Sequence, residues 1–159
     1  MSSVILPATS RRVPQNTARA VNDRIRRQTE QNVAHYARRG EAAISRRLKE
    51  LDAEWDIERT LEANASTAVL TGSALGAFVD RRFFLLPAAV AGFLLLHAVQ
   101  GWCPPLPILR RLGVRTQSEI DEERHALKAL RGDYRDVHAP SEGDGWLEVR
   151  QACQAARRS

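Results

Sequence analysis

Two stretches of this chain carry no formal charge, and they restrict its fold more than any other feature. Between Glu62 and Asp80 there is no Asp, Glu, Lys or Arg, and between Arg82 and Arg110 there is none either. The remaining segments and the short turn Asp80-Arg81-Arg82 hold all 24 basic and 19 acidic residues. An ordinary average of 43% hydrophobic and 27% charged residues therefore conceals two populations. Such segregation suits a chain divided between two solvents.

Phe83 to Cys103 is uncharged for 21 residues and contains the run Phe93-Leu94-Leu95-Leu96. At ~1.5 Å per residue such a helix crosses about 30 Å, the thickness of a bilayer core. Trp102 stands at its far end, where an aromatic ring anchors at the membrane interface. Ala63 to Val79 is shorter, and Asn64, Ser66, Thr67, Thr71 and Ser73 make it more polar. Its reading as a span depends on its neighbour, because Asp80-Arg81-Arg82 is a short polar turn of the kind that joins two spans. Ala68, Gly72 and Gly76 recur every four residues, as do Ala88 and Gly92. That spacing lets helix backbones approach closely inside a membrane, where packing replaces the hydrophobic effect. The expected fold is all-α, with a transmembrane helical hairpin over 62–104 flanked by cytoplasmic amphipathic helices.

The flanks divide by pattern. Residues 1–15 show no periodicity and read as a disordered arm. Residues 16–61 read as a helical region broken at Gly40, with helices over 17–38 and 41–61. Val21 and Ile25 fall four apart, and Ile44, Leu48, Leu51 and Trp55 form one stripe that makes Trp55 a packing residue. Over 105–132, the prolines at 104, 105 and 107 predict an extended exit. Thr116-Gln117-Ser118-Glu119 is a capping box opening a helix that runs to Arg131 and stops at Gly132. Residues 133–159 read as a flexible tail with a loop to Gly145 and a short helix near 146–157.

The net charge of +5 suits phosphate groups, whether on nucleic acid or on lipid. His35, Tyr36, Arg38 and Arg39 combine basic and aromatic character, but no nucleic-acid-binding motif accompanies them, and a solvated or lipid-facing basic surface is the simpler reading. Orientation follows from the 12 Lys and Arg before the first span and the 10 after the second, with only Arg81 and Arg82 between. The positive-inside rule then places both termini in the cytoplasm. The apolar piece Val4-Ile5-Leu6 is interrupted by Pro7 and is too short for a secretory signal. Cys103 and Cys153 form neither a disulfide framework nor a metal-binding spacing, so a reducing compartment is expected and no cofactor is implied.

Gly101-Trp102-Cys103-Pro104, followed by Leu109, Leu112-Gly113 and Thr116, resembles the two-helix transmembrane domain of the YgaP-like bacterial inner membrane proteins. The resemblance covers about residues 57–116. It implies a membrane hairpin, a bacterial inner membrane and dimer formation. Some members of that family join the hairpin to a rhodanese domain, and nothing here is similar to one. Pro105-Leu106-Pro107 lengthens the stretch after Cys103 relative to the family pattern, and the first helix is more polar.

The residues singled out are Gly72, Gly76, Gly92 and Trp102 for anchoring or packing, His97 and Gln100 as polar groups at membrane depth, and Cys103 as a weak catalytic candidate. A thiol at the membrane edge beside Arg110 and Arg111 could handle redox or sulfur chemistry, whereas a small residue packing a tight turn is the blander account. His97 and Gln100 fit capping or interhelix hydrogen bonding better than a transport path. No carboxylate pair, nucleophile–base pair or phosphate loop stands out, so an enzyme is not expected. The chain reads as a small inner-membrane scaffold or interaction protein whose partners are the lipid bilayer, an unknown protein or its own copy. A membrane thiol protein acting through Cys103 and a soluble basic helical protein binding nucleic acid are the alternatives.

Overall fold

The computed structural model describes residues 7–135, 137 and 146–157, and among these every regular element is a helix. They form α1 (Arg12–Gln15), α2 (Arg19–Ala37), α3 (Glu41–Ala53), α4 (Ile57–Phe78), a 3₁₀ turn (Arg81–Phe84), α5 (Leu85–Gln100), α6 (Leu106–Leu112), α7 (Gln117–Arg131) and α8 (Trp146–Arg157). The chain divides into two compact units. One comprises the residues up to Arg26 together with Trp55–Ser118, and the other comprises Arg27–Glu54 together with the residues from Glu119 onward. Residues 16–61 and 105–132 thus each contribute to both units.

In the first unit α4 and α5 run back along each other from the turn at Asp80. Asp80 caps that turn by accepting from the Arg82 N–H at 2.7 Å. Gly72 and Gly76 are buried where the helices touch. A Cβ on Gly72 would lie 2.7 Å from Pro87 Cδ, and one on Gly76 would lie 2.9 Å from the Phe84 ring. Gly92 differs from its expected role, since nothing lies within 4 Å of a Cβ built there. It sits five residues, about 140° of helix turn, from Pro87, and so faces away from α4.

The apolar core of this unit lies at the end of the pair remote from Asp80. Val13, Ile57, Leu61, Cys103 and Leu106 form it, with Leu109 and Val114 packed against them. Two sequence expectations change here. Residues 1–6 of the expected arm lie outside the described residues, but Arg12–Gln15 is a helical turn and Val13 is buried. The proline exit is not extended, since Pro104 and Pro105 form a turn closed by the Leu106 N–H on the Cys103 carbonyl at 3.1 Å. Pro105 precedes α6 and Pro107 lies in its first turn, where the missing N–H is one the helix would leave unpaired in any case.

Arg110 is fully buried under α6. Its Nε donates to Thr17 Oγ1 at 3.2 Å, Nη1 to the Val114 carbonyl at 3.0 Å and Nη2 to Asn22 Oδ1 at 3.0 Å. A guanidinium offers five donors in a fixed fork, so one residue holds three segments of chain together.

The second unit has its own core of Ile44, Leu48, Leu51, Ile120 and Leu127, with Val33 and Tyr36 against it. Three members of the expected 4-3-4 stripe are therefore packed. Trp55 is not. The helix stops at Ala53, α4 starts afresh at Ile57 with Asp56 as its cap, and Trp55 is 49% exposed under the Arg59 guanidinium at 4.4 Å. The cap explains the break, since Asp56 Oδ1 accepts from the Arg59 N–H at 2.8 Å. Gly40 starts α3 with a φ of +83°, a backbone setting that glycine accepts and L side chains resist. Arg47 donates from Nε to the buried Glu123 carboxylate at 2.7 Å, and Asn32 donates to the same carboxylate at 3.3 Å. α7 begins directly after Thr116 and ends before Gly132, whose φ is +92°. Of the expected tail, 136 and 138–145 lie outside the described residues.

Candidate functional site

The polar cluster at the base of the α4–α5 pair is built from three segments. Glu58, in the first turn of α4, accepts from Arg12 Nη2 at 2.8 Å through one oxygen and lies 2.8 Å from His97 Nε2 through the other. A carboxylate only accepts, so Nε2 carries the hydrogen in this contact whenever Glu58 is ionised. His97 is 4% exposed, and its Nδ1 is buried with no partner among the described residues. Burial pushes the Glu58 carboxyl up, but the hydrogen bonds from Arg12 and His97 outweigh it and hold the group below its usual range.

The same N-terminal segment closes the end of α5. The last carbonyls of a helix have no partner within it. Here Arg12 Nη1 donates to the Ala98 carbonyl at 3.0 Å, Asn16 Nδ2 to that of Gln100 at 2.7 Å, and the Gly101 N–H to that of His97 at 2.7 Å. Gly101 takes a φ of +76°, and a Cβ there would lie 2.6 Å from the Arg12 backbone. Both facts require glycine at the first position of the Gly-Trp-Cys-Pro turn. The Gln100 side chain is exposed, so this residue enters the contact through its carbonyl.

Cys103 is a core residue, 3% exposed. Arg110, expected beside it as an activating cation, is committed to Thr17, Asn22 and Val114. Reactive cysteines need thiolate and access. Cys103 has neither advantage, whereas Cys153 is exposed. Between α4 and α5, a cavity of about 260 Å³ is walled by Leu61, Ala65, Ala68, Val90, Phe93 and Leu94, with Cys103 and Pro104 also lining it. Among the described residues no group of three or more His, Cys, Asp or Glu is arranged to hold a metal ion.

Beyond this base the helix pair presents apolar side chains outward. Leu85 is 73% exposed and Leu95 68%, and Leu70, Phe78, Phe83, Phe84, Leu86, Phe93 and Val99 are also exposed. Trp102 is exposed as well, at the base end. Arg81–Gln100 is long and apolar enough to cross a membrane: an 18-residue window within it has a mean hydropathy of 1.9, and 6% of that window is buried. Among the described residues no other helix meets that measure. α4 has the length, but Asn64 and its hydroxyl residues dilute it. Thr67 and Thr71 turn their hydroxyls back to the carbonyls four residues earlier, each at 2.8 Å. Of the suggested nucleic-acid residues, His35, Arg38 and Arg39 are exposed while Tyr36 packs on the second core.

The composite base drew on residues that the sequence left unconnected. Arg12, Glu58 and Arg110 carried no signal beyond their charge, and the contacts Arg12–Glu58, Glu58–His97 and Arg110–Thr17 span 46, 39 and 93 positions. No protein family, curated protein or solved structure matches this chain.

Proposed function

We propose that the chain is an integral membrane protein anchored by the α4–α5 pair, and that it acts as a scaffold or interaction protein rather than an enzyme. The observation that carries this reading is the exposure of Arg81–Gln100. A helix of that apolarity in a water-soluble protein belongs in a core, yet nearly all of it faces outward. An exposed apolar surface of this extent marks a membrane or partner contact. α4 shares the bilayer because Gly72 and Gly76 seat it on α5, and because its threonine hydroxyls are satisfied inside the helix. Both ends of the pair then lie on one side, which the positive-inside rule makes the cytoplasm. The resemblance at Gly101-Trp102-Cys103-Pro104 favours a bacterial inner membrane. In this picture Cys103 packs the base, and the second unit offers surface to a protein partner or a second copy.

Carbonate extraction of membranes tests the anchor. The protein should stay with the membrane until detergent is added, and release by carbonate alone would overturn the reading. A cysteine placed at Arg81 should react with an impermeant reagent on intact cells. Reaction only after lysis would invert the orientation.

A further inference from the structure

The second unit carries a helix packed the reverse of the usual way. In a surface helix of a water-soluble domain the large apolar residues face the core. α8 buries Ala155, half-buries Ala152, and turns Trp146 and Leu147 out at 68% and 67% exposure, with Val149 exposed beside them. Trp146, Val149, Arg150 and Cys153 recur at three- and four-residue steps and so share one outward face. Arg150 is exposed on that face, while Glu148, the one acid of α8, lies half-buried toward the packed side. Lys128 fixes α8 in this setting, because its buried ammonium donates to the Ala156 carbonyl at 2.9 Å.

We propose that α8 is a membrane-surface helix that docks on an anionic lipid bilayer through Trp146, Leu147 and Val149, with Arg150 at the phosphates. An outward apolar strip that contains tryptophan and an exposed arginine is the composition that lies in a bilayer interface. Arg150 selects anionic head groups, and Glu148, the acid of α8, is turned away from them. This surface is separate from the α4–α5 anchor and involves none of its residues.

Cys153 supplies a native reporter, since it is exposed and Cys103 is buried. The full chain, spin-labelled at Cys153, is reconstituted into phosphatidylglycerol or phosphatidylcholine vesicles, and relaxation by oxygen is compared with relaxation by a water-soluble nickel chelate. In phosphatidylglycerol the label should favour oxygen, and in phosphatidylcholine it should favour nickel. Arg150→Glu should erase the difference between vesicles, and W146S with L147S should restore nickel access in both without loss of helix by circular dichroism. A label that favours nickel in both vesicles overturns the proposal. Spin–spin broadening in both vesicles also overturns it, since a second copy would then be the occupant. Carbonate extraction of the same vesicles reads the α4–α5 anchor, so either idea can fail while the other stands.

Discussion

His97 Nε2 lies 2.8 Å from Glu58 Oε2, so the one ionisable side chain of α5 is paired with the acid in the first turn of the helix beside it. Glu58 also holds Arg12, which makes this carboxylate the joint of three segments. Glu58→Gln should lower stability by about 1–3 kcal/mol, because it leaves charged or buried donors poorly matched. Thermal unfolding in detergent micelles checks this, and an unchanged Tm would remove the joint from the account. His97→Leu should cost less, since Arg12 keeps its partner.

The pH dependence has a definite sign. Glu58 is held below its ordinary value of 4.5 in the folded chain. Its contribution is therefore complete at neutral pH and down to that ordinary range, and it is lost as pH falls through the lower folded value. Glu58→Gln should flatten this part of the stability curve. A mutant curve parallel to the wild type below pH ~4.5 would refute the assignment.

The glycines of the helix pair should separate into two classes. Gly72→Ala drives a methyl into the rigid Pro87 ring and should destabilise by about 1–3 kcal/mol. Gly76→Ala meets the Phe84 ring, which can rotate, and should cost less. Gly92→Ala meets nothing and should be neutral or stabilising by up to ~1 kcal/mol. Equal effects at 72 and 92 would contradict the packing described.

Gly101→Ala combines a left-handed backbone with a collision at Arg12 and should cost about 1–3 kcal/mol. Its visible consequence is release of the N-terminal segment. Limited trypsin digestion should cut faster at Arg11 and Arg12 in the variant than in the wild type.

The two thiols should differ in reactivity. At neutral pH an alkylating reagent should modify Cys153 promptly and reach Cys103 only on unfolding, because the latter is buried. Prompt labelling of Cys103 in the folded chain would revive a chemical role for it.

Features with a local physical cause were readable in the sequence. Thr116 and Gly132 bracket α7, Gly40 separates α2 from α3, and the apolarity of α5 needs no partner to be recognised. Features that depend on distant residues were not. A four-residue helix around Val13 has no period to detect, and its burial depends on Ile57 and Leu106. The prolines before α6 have two local solutions, and the choice between them rests on Leu106 and Leu109 finding the core. Arg110 was read as a cation beside Cys103 because two of its acceptors, Thr17 and Asn22, are about ninety positions away. Trp55 fitted a helical stripe by spacing, but a capping aspartate next to it in sequence ended the match.

The base of the first unit can close only late in the synthesis of the chain. Thr17 meets its guanidinium partner only when Arg110 has been synthesised, 93 residues later. Arg12 similarly waits 46 residues for Glu58 and 86 for the Ala98 carbonyl. During translation, then, residues 12–17 are made well before these partners. The clasp at the foot of the two helices closes only after both have been produced, so it can report on their completion but cannot guide their formation.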